Sequence, residues 1–284
     1  MSRSTPQRAE AAPLAAPGES GSGSEPDRYH VPALARGLEL LSRFSRRTPQ
    51  LTGAELARDM DLPRASVFRM LHTLERAGYV ERVDDSASYR LGLGVLRLGF
   101  EVLASMELTE IGHPVIARLR DRTRCSAHLV VRDGREVVFV AKAPGESALF
   151  QSVQVGARLP AHATVLGRLL LSDLGTPELE RLYPESTLQR FTEHTPRTLS
   201  ELTRLIAADR KRGWAISEGG FETGISTIAA PVVTGRRHVT AVVSVTVPAQ
   251  RIDAARAQTL AEQVQEAAAE IATRLTHSAA GGSP

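Results

Sequence analysis

The stretch LTGAELARDMDLPRASVFRMLHTLERAGYVERVDDSASYRL, residues 51–91, decides the fold of the N-terminal part of the chain. It holds two short helix signals separated by a tight turn, followed by a short hairpin signal. Thr52 and Glu55 have the spacing of a capping box, in which a hydroxyl and a carboxylate satisfy backbone N–H groups at the start of a helix. Gly78 suits the position just past the end of the second helix, where a positive φ is common. The order of these signals predicts a winged helix-turn-helix, which places its second helix in a groove of duplex DNA.

The second helix of this stretch has an apolar face and a polar face. Val67, Leu71 and Leu74 repeat at helical spacing and are expected to face the core. The early residues of the opposite face reach base edges in such a fold, and arginine offers a two-pronged donor to guanine or phosphate. We expect DNA contacts from Thr52, Arg64, Ser66, Phe68, Arg69, Arg82 and Arg90.

Two alternatives stay open for these residues. The helix face can be an ordinary solvated surface, with Phe68 packed on a neighbouring element. The wing cations Arg82 and Arg90 can instead form surface salt bridges with Glu81 or Asp84, which contribute little to stability.

The composition agrees with two domains and with a reducing compartment. The chain has 284 residues and a formal net charge of only +3. Residues 29–91 carry ten arginines against eight acidic residues, so the prediction of DNA binding rests on their placement. A single cysteine, Cys125, excludes an intrachain disulfide and a cysteine-clustered zinc site. No apolar run approaches the about 18 residues of a membrane span, and the N-terminus lacks the apolar core of a signal peptide. We therefore expect a cytoplasmic protein with no membrane contact, no metal and no cofactor.

The sequence pattern divides the chain into five parts. Residues 1–28 are rich in Ala, Pro, Gly, Ser and Glu and are expected to be a disordered tail, as are residues 277–284. Residues 29–91 form the DNA-binding domain. The apolar side of its first helix is expected to pack under the other two helices and consists of Val31, Leu34, Leu38, Leu41 and Phe44. Residues 92–110 form a linker helix. We expect it to pack on the same helix of a second subunit, because an operator with two-fold symmetry needs two copies of the DNA-binding domain, here called the reading heads. Packing inside the same chain is the alternative for that helix, and residues 111–276 form the C-terminal domain.

The C-terminal part mixes helix and strand patterns, which indicates the α+β class. Asp133 and Gly134 give a hairpin signal between two short strands. The predicted helices cover 111–122, 164–173, 198–213 and 251–274, and the predicted strands cover 127–132, 137–142, 148–155, 214–218, 225–233 and 239–247. These elements predict a curved antiparallel sheet with helices on its faces.

Three segments resemble one family of regulators. They are ELARDMDLPRASVFRMLHTLERAGYVER, then VGARLPAHATVLGRLLL, and finally RKRGWAISEGGFETGISTIAAPV followed by AVVSVTVP. From about Val31 to Arg274 the chain resembles an IclR-family transcriptional regulator. The resemblance implies a winged helix-turn-helix joined to a GAF/profilin-like domain, whose occupancy by a small-molecule effector alters DNA affinity. It also implies a homodimer or homotetramer that binds an operator in double-stranded DNA.

The same resemblance supplies a set of effector-binding residues. They are Val165, Leu166, Ser217, Ile225, Thr227, Ser244 and Thr246. The residues themselves agree with this set, because positions two apart on one strand share a face and can line one cavity. Ser217 and Thr227 stand where the family often has aspartate and cysteine, so the identity of the effector does not transfer. An organic acid, an aromatic acid or an amino-acid-like metabolite is the expected class.

An enzyme is the main alternative to a regulator. His162 and Cys125 are the only tempting catalytic residues, and G-x-S-x-G, HExxH, CxxC and phosphate-loop motifs are absent from the sequence. We expect His162 to be a structural hydrogen-bonding residue, Cys125 to be a buried small hydrophobe, and the protein not to be an enzyme. A repressor is favoured, although a transcriptional activator of a catabolic operon would use the same parts. An architectural DNA binder without an effector is the third option.

Overall fold

The protein folds into two compact units. In the computed structural model, the described residues are 30–45, 47–83, 86–145, 153–185, 187–219, 221, 224–235, 238–248 and 251–281. Contacts within the chain divide it into Met1–Leu103 and Ala104–Pro284. The predicted N-terminal tail, residues 1–28, lies outside the described residues.

The N-terminal unit is a helix-turn-helix followed by a small antiparallel sheet. The sheet has the strand order β1-β3-β2, with Leu51 opposite Tyr89 and Val80 opposite Leu91. Its elements are α1 (Pro32–Ser42), β1 (Leu51–Thr52), α2 (Gly53–Asp59), α3 (Arg64–Arg76), β2 (Val80–Arg82), β3 (Ser88–Leu91) and α4 (Leu93–Ser105). The winged helix-turn-helix predicted from residues 51–91 is therefore confirmed.

The local signals of the sequence form the contacts that they predict. The Thr52 backbone N–H donates to Glu55 Oε2 at 2.7 Å, and the Glu55 N–H donates to Thr52 Oγ1 at 3.2 Å. This backbone hydrogen bond lowers the pKa of the Glu55 carboxyl, because it stabilises the ionised form. Asp61 takes a φ of 50°, and the Leu62 N–H bonds to the Ala57 carbonyl, which closes the turn between α2 and α3.

The small core of this unit is built from α1, α2, α3 and the sheet. Leu40, Leu56, Val67, Leu71 and Val80 are all buried within it.

The expected packing of the first helix is wrong for its N-terminal turns. Val31, Leu34 and Leu38 are 56%, 61% and 58% exposed, whereas Leu40 and Phe44 reach the core. The reason is that the core of the unit meets only the C-terminal part of α1. Helical spacing identifies an apolar side, but it does not show how much of that side the neighbouring helices cover.

The C-terminal unit is an antiparallel sheet between two layers of helices. Six described strands form one sheet in the order β6-β5-β4-β9-β8-β7, and each neighbouring pair is antiparallel. The strands are β4 (Ser126–Asp133), β5 (Glu136–Ala143), β6 (Arg158–Pro160), β7 (Ala215–Glu218), β8 (Ser226–Thr234) and β9 (His238–Val247). The helices are α5 (Glu107–Thr123), α6 (Val165–Leu170), α7 (Thr176–Leu182), α8 (Leu199–Arg212) and α9 (Ala254–Gly281). The predicted α+β class and curved sheet are confirmed.

The two faces of the sheet carry different helices. On one face α5 and α9 pack directly on β4 and β8, and Gly112 of α5 lies so close to Leu129 that a Cβ there would collide with that side chain. On the other face α6 lies over β8, β9 and β4 and is backed by α8. Because side chains alternate between faces along a strand, His128 next to Leu129 points to the α6 side.

The structure corrects three details of the sequence reading. Residues 92–110 form α4 and the start of α5, separated at Met106, whose φ of −88° and ψ of 95° are extended. The strand expected over 148–155 falls partly outside the described residues, and 153–155 are not in a strand; β6 follows a turn at Gly156 and pairs with β5 instead. Helix α9 continues to Gly281, so 277–281 are helical rather than a disordered tail. Alanine favours a helix, and His277 Nδ1 lies 2.7 Å from the Thr273 carbonyl oxygen in the last turns.

Candidate nucleic-acid interface and ligand cavity

Helix α3 presents an uncovered face at its N-terminal end. Arg64, Phe68 and Arg69 are exposed, and Ser66 is half-buried. Phe68 is 59% exposed, so the alternative in which it packs on a neighbouring element does not hold for the described residues. The opposite face buries Val67 completely. An exposed phenylalanine between exposed cations is the makeup of a surface that contacts another molecule.

The arginines of this face form no ion pair with other described residues. Among the described residues, neither Arg64 nor Arg69 has a carboxylate within ion-pair distance, although other arginines of the chain do. The helix begins after Pro63, and no described side chain caps its first N–H groups. Free N–H groups and the helix dipole at such an end attract phosphate. This end of α3 therefore combines three groups that can contact phosphates or bases: arginine side chains, an exposed phenylalanine ring and free backbone N–H groups.

The remaining residues predicted to touch DNA have partners inside the unit. The Thr52 hydroxyl donates to Glu55 Oε2 at 2.8 Å and accepts from the Glu55 N–H, so it is occupied by the helix cap. Arg82 donates to the Tyr89 hydroxyl at 2.9 Å, which raises the pKa of Arg82. Arg90 bonds to Glu81 at 3.0 Å, which is the salt bridge considered as its alternative. Asp84, the other alternative partner, lies outside the described residues. DNA contact by these three side chains stays a prediction.

A cavity of about 90 Å³ lies between the sheet and α6 in the C-terminal unit. By the same measure a water needs about 10–15 Å³, so the cavity has room for a small organic molecule. All seven residues expected to bind an effector line it, together with six that sequence reasoning missed: His128, Phe139, Val153, Leu159, Thr164 and Phe221. The structure brings the seven together, and their role as ligand contacts stays a prediction.

Strand register explains how distant residues meet in this cavity. Ser217 lies opposite Thr227, and Thr227 lies opposite Thr246, so three hydroxyl-bearing residues form one row across β7, β8 and β9. Two residues along, Ser244 of β9 lies opposite His128 of β4. Because both rows are on the α6 face, the sheet supplies a polar floor to an otherwise apolar cavity.

Helix α6 supplies the opposite wall. Thr164 caps it through a 3.1 Å bond from the Gly167 N–H, and Val165 and Leu166 follow as buried cavity residues. Arg168, one turn later, forms a buried ion pair of 2.7 Å with Asp209 of α8. Arg168 also donates to the Ile216 carbonyl at 3.3 Å, next to Ser217. These bonds hold the helix wall in place against the sheet.

His128 is the most unusual residue of the lining. It is 3% exposed, and its ring meets that of Phe139 edge-on with the centroids 5.4 Å apart. Burial, together with the positive charge of Lys142 on β5, lowers the pKa of His128 to about 4. The imidazole is therefore uncharged at neutral pH. Its position as a polar residue within the apolar run of β4 was the signal in the sequence that could have identified it.

His162 and Cys125 lie in structural surroundings. His162 Nε2 donates to the Gln189 carbonyl at 2.9 Å, and its ring contacts Tyr183 and Phe191. Burial lowers the pKa of His162 and raises that of the Cys125 thiol. No group of three or more His, Cys, Asp or Glu side chains suited to a metal ion occurs among the described residues. None of the helices in the described part of the chain is long and apolar enough to cross a membrane.

Comparison with known proteins identifies both units. Residues 33–84 match the IclR helix-turn-helix domain, and residues 100–273 match the bacterial transcriptional regulator IclR C-terminal domain. The HTH-type transcriptional regulator XynR of Escherichia coli is 28% identical over 88% of this chain and 99% of its own length. The HTH-type transcriptional repressor AllR of Klebsiella pneumoniae is 29% identical over 86% of this chain and 89% of its own.

A solved structure agrees over both units. An IclR homologue from Microbacterium hydrocarbonoxydans, in complex with 4-hydroxybenzoate, has a TM-score of 0.74 and 26% identity, covering 86% of this chain and 98% of that one. The two domain matches together span most of the described residues. The exposed α3 face and the cavity thus occur in a chain that belongs to the IclR family of DNA-binding transcriptional regulators.

Proposed function

We propose that this protein is a repressor whose affinity for its operator is controlled by a small organic metabolite bound in the cavity between α6 and the sheet. The observation that carries the proposal is the pairing, in one chain, of an uncovered DNA-reading helix with a cavity that has an apolar wall and a polar floor. A curated relative is named as a repressor, and a structural relative was solved with 4-hydroxybenzoate.

The DNA contacts follow from the α3 face. Arg69 and Arg64 reach bases or phosphates, because their guanidinium groups have no internal partner among the described residues. Phe68 packs on a sugar or a thymine methyl, which accounts for an aromatic ring that the fold leaves exposed. The N–H groups of the uncapped helix end bind a phosphate beside them.

The ligand acts by selecting between two placements of the reading heads. A molecule that fits the cavity better in one placement shifts the population toward it, and the operator affinity changes by the same differential free energy. An activator can contain the same cavity. Whether DNA binding represses or activates transcription is then decided by the position of the operator relative to the promoter.

The protein acts as a homodimer or a homotetramer. Val31, Leu34 and Leu38 of α1 are exposed, and so are Leu93, Leu96 and Val102 of α4. Two helices with uncovered apolar sides in the DNA-binding unit are typical of a surface that pairs with a second copy. A pair of reading heads matches the two half-sites of a two-fold operator.

Footprinting tests the proposal on the DNA upstream of this gene and of its neighbours. We expect protection of two half-sites related by two-fold symmetry, overlapping the promoter. Metabolites that raise the melting temperature of the protein are then added, and at least one of them is expected to weaken the footprint. An intact footprint upstream of the promoter, together with lower transcription when the gene is deleted, would establish an activator. A chain that protects no DNA in this region would refute the proposal.

A further inference from the structure

Two buried polar side chains at the floor of the cavity have no hydrogen-bond partner in the part of the chain that the structure describes. His128 and Ser244 are 3% and 1% exposed and lie opposite each other on β4 and β9. Neither ring nitrogen of His128 nor the Ser244 Oγ has a partner among the described residues. Both side chains line the cavity. Buried polar groups are nearly always paired in folded proteins, so three orphaned atoms at one place call for a reason.

The positions that continue this row beyond Ser244 are apolar. On the other side of Ser244, the same row continues through Ala229 of β8 to Ala215 of β7, both fully buried. At these two positions of the row, buried alanine side chains pack without a polar group. Leaving a buried donor and acceptor unpaired lowers stability, whereas an apolar residue of similar shape would not. The free protein is therefore less stable by the free energy of the missing hydrogen bonds, and a ligand that forms those bonds restores it.

The floor is uncharged and can both donate and accept. Burial lowers the pKa of His128 to about 4, so at neutral pH one ring nitrogen is a donor and the other an acceptor. The charged group that faces it is Lys142, across the β4–β5 pair, and its Nζ donates to the Val153 carbonyl at 2.6 Å. The described residues that line the cavity include no carboxylate, lysine or arginine.

We propose that His128 and Ser244 are the specificity pair of the cavity and that they bind a hydroxyl group of the ligand, on an alcohol or a phenol. The proposal rests on the ligand-binding function proposed above. A hydroxyl oxygen donates one hydrogen bond and accepts others, which matches two groups that each do both. A carboxylate or an ammonium would instead bring a charge that no side chain of the described lining offsets, which is costly in a buried site. Side chains opposite each other on neighbouring strands are about 5 Å apart at Cβ, so one oxygen can reach both.

The carbon skeleton of the ligand is then held by the apolar walls. Phe139, Phe221 and Ile225 surround the floor, and Val165 and Leu166 close the cavity from α6. These apolar side chains form no hydrogen bonds with a ligand, so they do not distinguish polar groups on it. The discrimination between ligands of similar shape therefore falls on the hydroxyl and its two partners.

The test compares probes that differ by one hydroxyl. Calorimetric titration of the full-length protein uses 4-hydroxybenzoate with benzoate, 4-methylphenol with toluene, and lactate with propionate. The two members of each pair differ only by one hydroxyl group, whereas the carbon skeleton differs from pair to pair. We expect the hydroxylated member of at least one pair to bind about tenfold more tightly. In His128→Leu and Ser244→Ala the two members should bind with nearly equal affinity, and His128→Gln, which keeps a donor and an acceptor, should restore part of the difference. The control His113→Leu removes an exposed histidine of α5 and should keep it in full.

Thermal stability separates a binding role from a structural one. Without ligand, His128→Leu and Ser244→Ala should melt at the same temperature as the native protein or higher, because the orphaned atoms are gone. Lower melting temperatures for both variants would show that the pair supports the fold and would overturn the proposal. Equal binding of both members of every pair, or no binding by any probe, would also overturn it. DNA binding by the same preparations without ligand tests the regulator function separately, since a failure there leaves the probe result unaffected.

Discussion

Acidification should destabilise the C-terminal unit through His128. The pKa of His128 is about 4 in the folded protein, against an ordinary value of 6.5. The unfolded chain therefore takes up a proton below pH 6.5 that the folded chain refuses until about pH 4, so stability is full above 6.5 and falls as the pH drops toward 4. Each unit of pKa difference corresponds to about 1.4 kcal/mol, which gives about 3 kcal/mol over the whole range and about 2 kcal/mol at pH 5.

Trp214, the only tryptophan of the chain, reports on this unit alone. Urea unfolding is followed by its fluorescence at pH 7.5 and pH 5.0 in the native protein and in His128→Leu. The native protein should lose about 2 kcal/mol more stability than the variant between the two conditions. The control His113→Leu should keep the native pH dependence, since that residue is exposed. Identical losses in the native protein and in His128→Leu would refute the reasoning that burial suppresses the charge of His128.

Three further substitutions test the contacts that position the two sites. Thr52→Ala removes the cap of α2 and should cost about 1 kcal/mol, seen by circular dichroism as a lower melting temperature of the N-terminal unit. Asp209→Asn leaves the buried Arg168 without its countercharge and should cost about 3 kcal/mol in urea unfolding followed by Trp214 fluorescence; an unchanged midpoint would contradict this. Gly167→Ala places a Cβ against the Ala161 backbone, so α6 must shift, and calorimetry should show weaker binding of any cavity ligand.

The N-terminal unit could be predicted closely because its determinants are local. The capping box of Thr52 and Glu55, the turn at Asp61 and the stripe through Val67 all lie within one stretch, and each forms as expected. The exposure of Leu34 and Leu38 could not be predicted, because it depends on how far the neighbouring helices extend along α1.

The cavity could be predicted only in part. Ser217, Thr227, Ser244 and Thr246 were predicted because the chain resembles a known family, and the two-residue spacing of Ser244 and Thr246 agrees with that prediction. His128 was missed because a polar residue in an apolar strand does not by itself show what it faces. That depends on β4 lying between β5 and β9, which is a long-range pairing. Phe139 and Phe221 were missed for the same reason, since apolar residues in strands and loops are common and only the fold brings these two to one cavity.

The central claim is that the exposed face of α3 reads DNA, and one measurement tests it most directly. Fluorescence anisotropy gives the Kd for the footprinted fragment with the native protein, with Arg69→Ala and with the control Arg181→Ala, an exposed arginine of α7 in the other unit. A bidentate arginine contact contributes about 1–3 kcal/mol, so Arg69→Ala should raise the Kd by about fivefold to 150-fold, while Arg181→Ala should leave it unchanged. Equal Kd values for Arg69→Ala and the native protein would contradict the account.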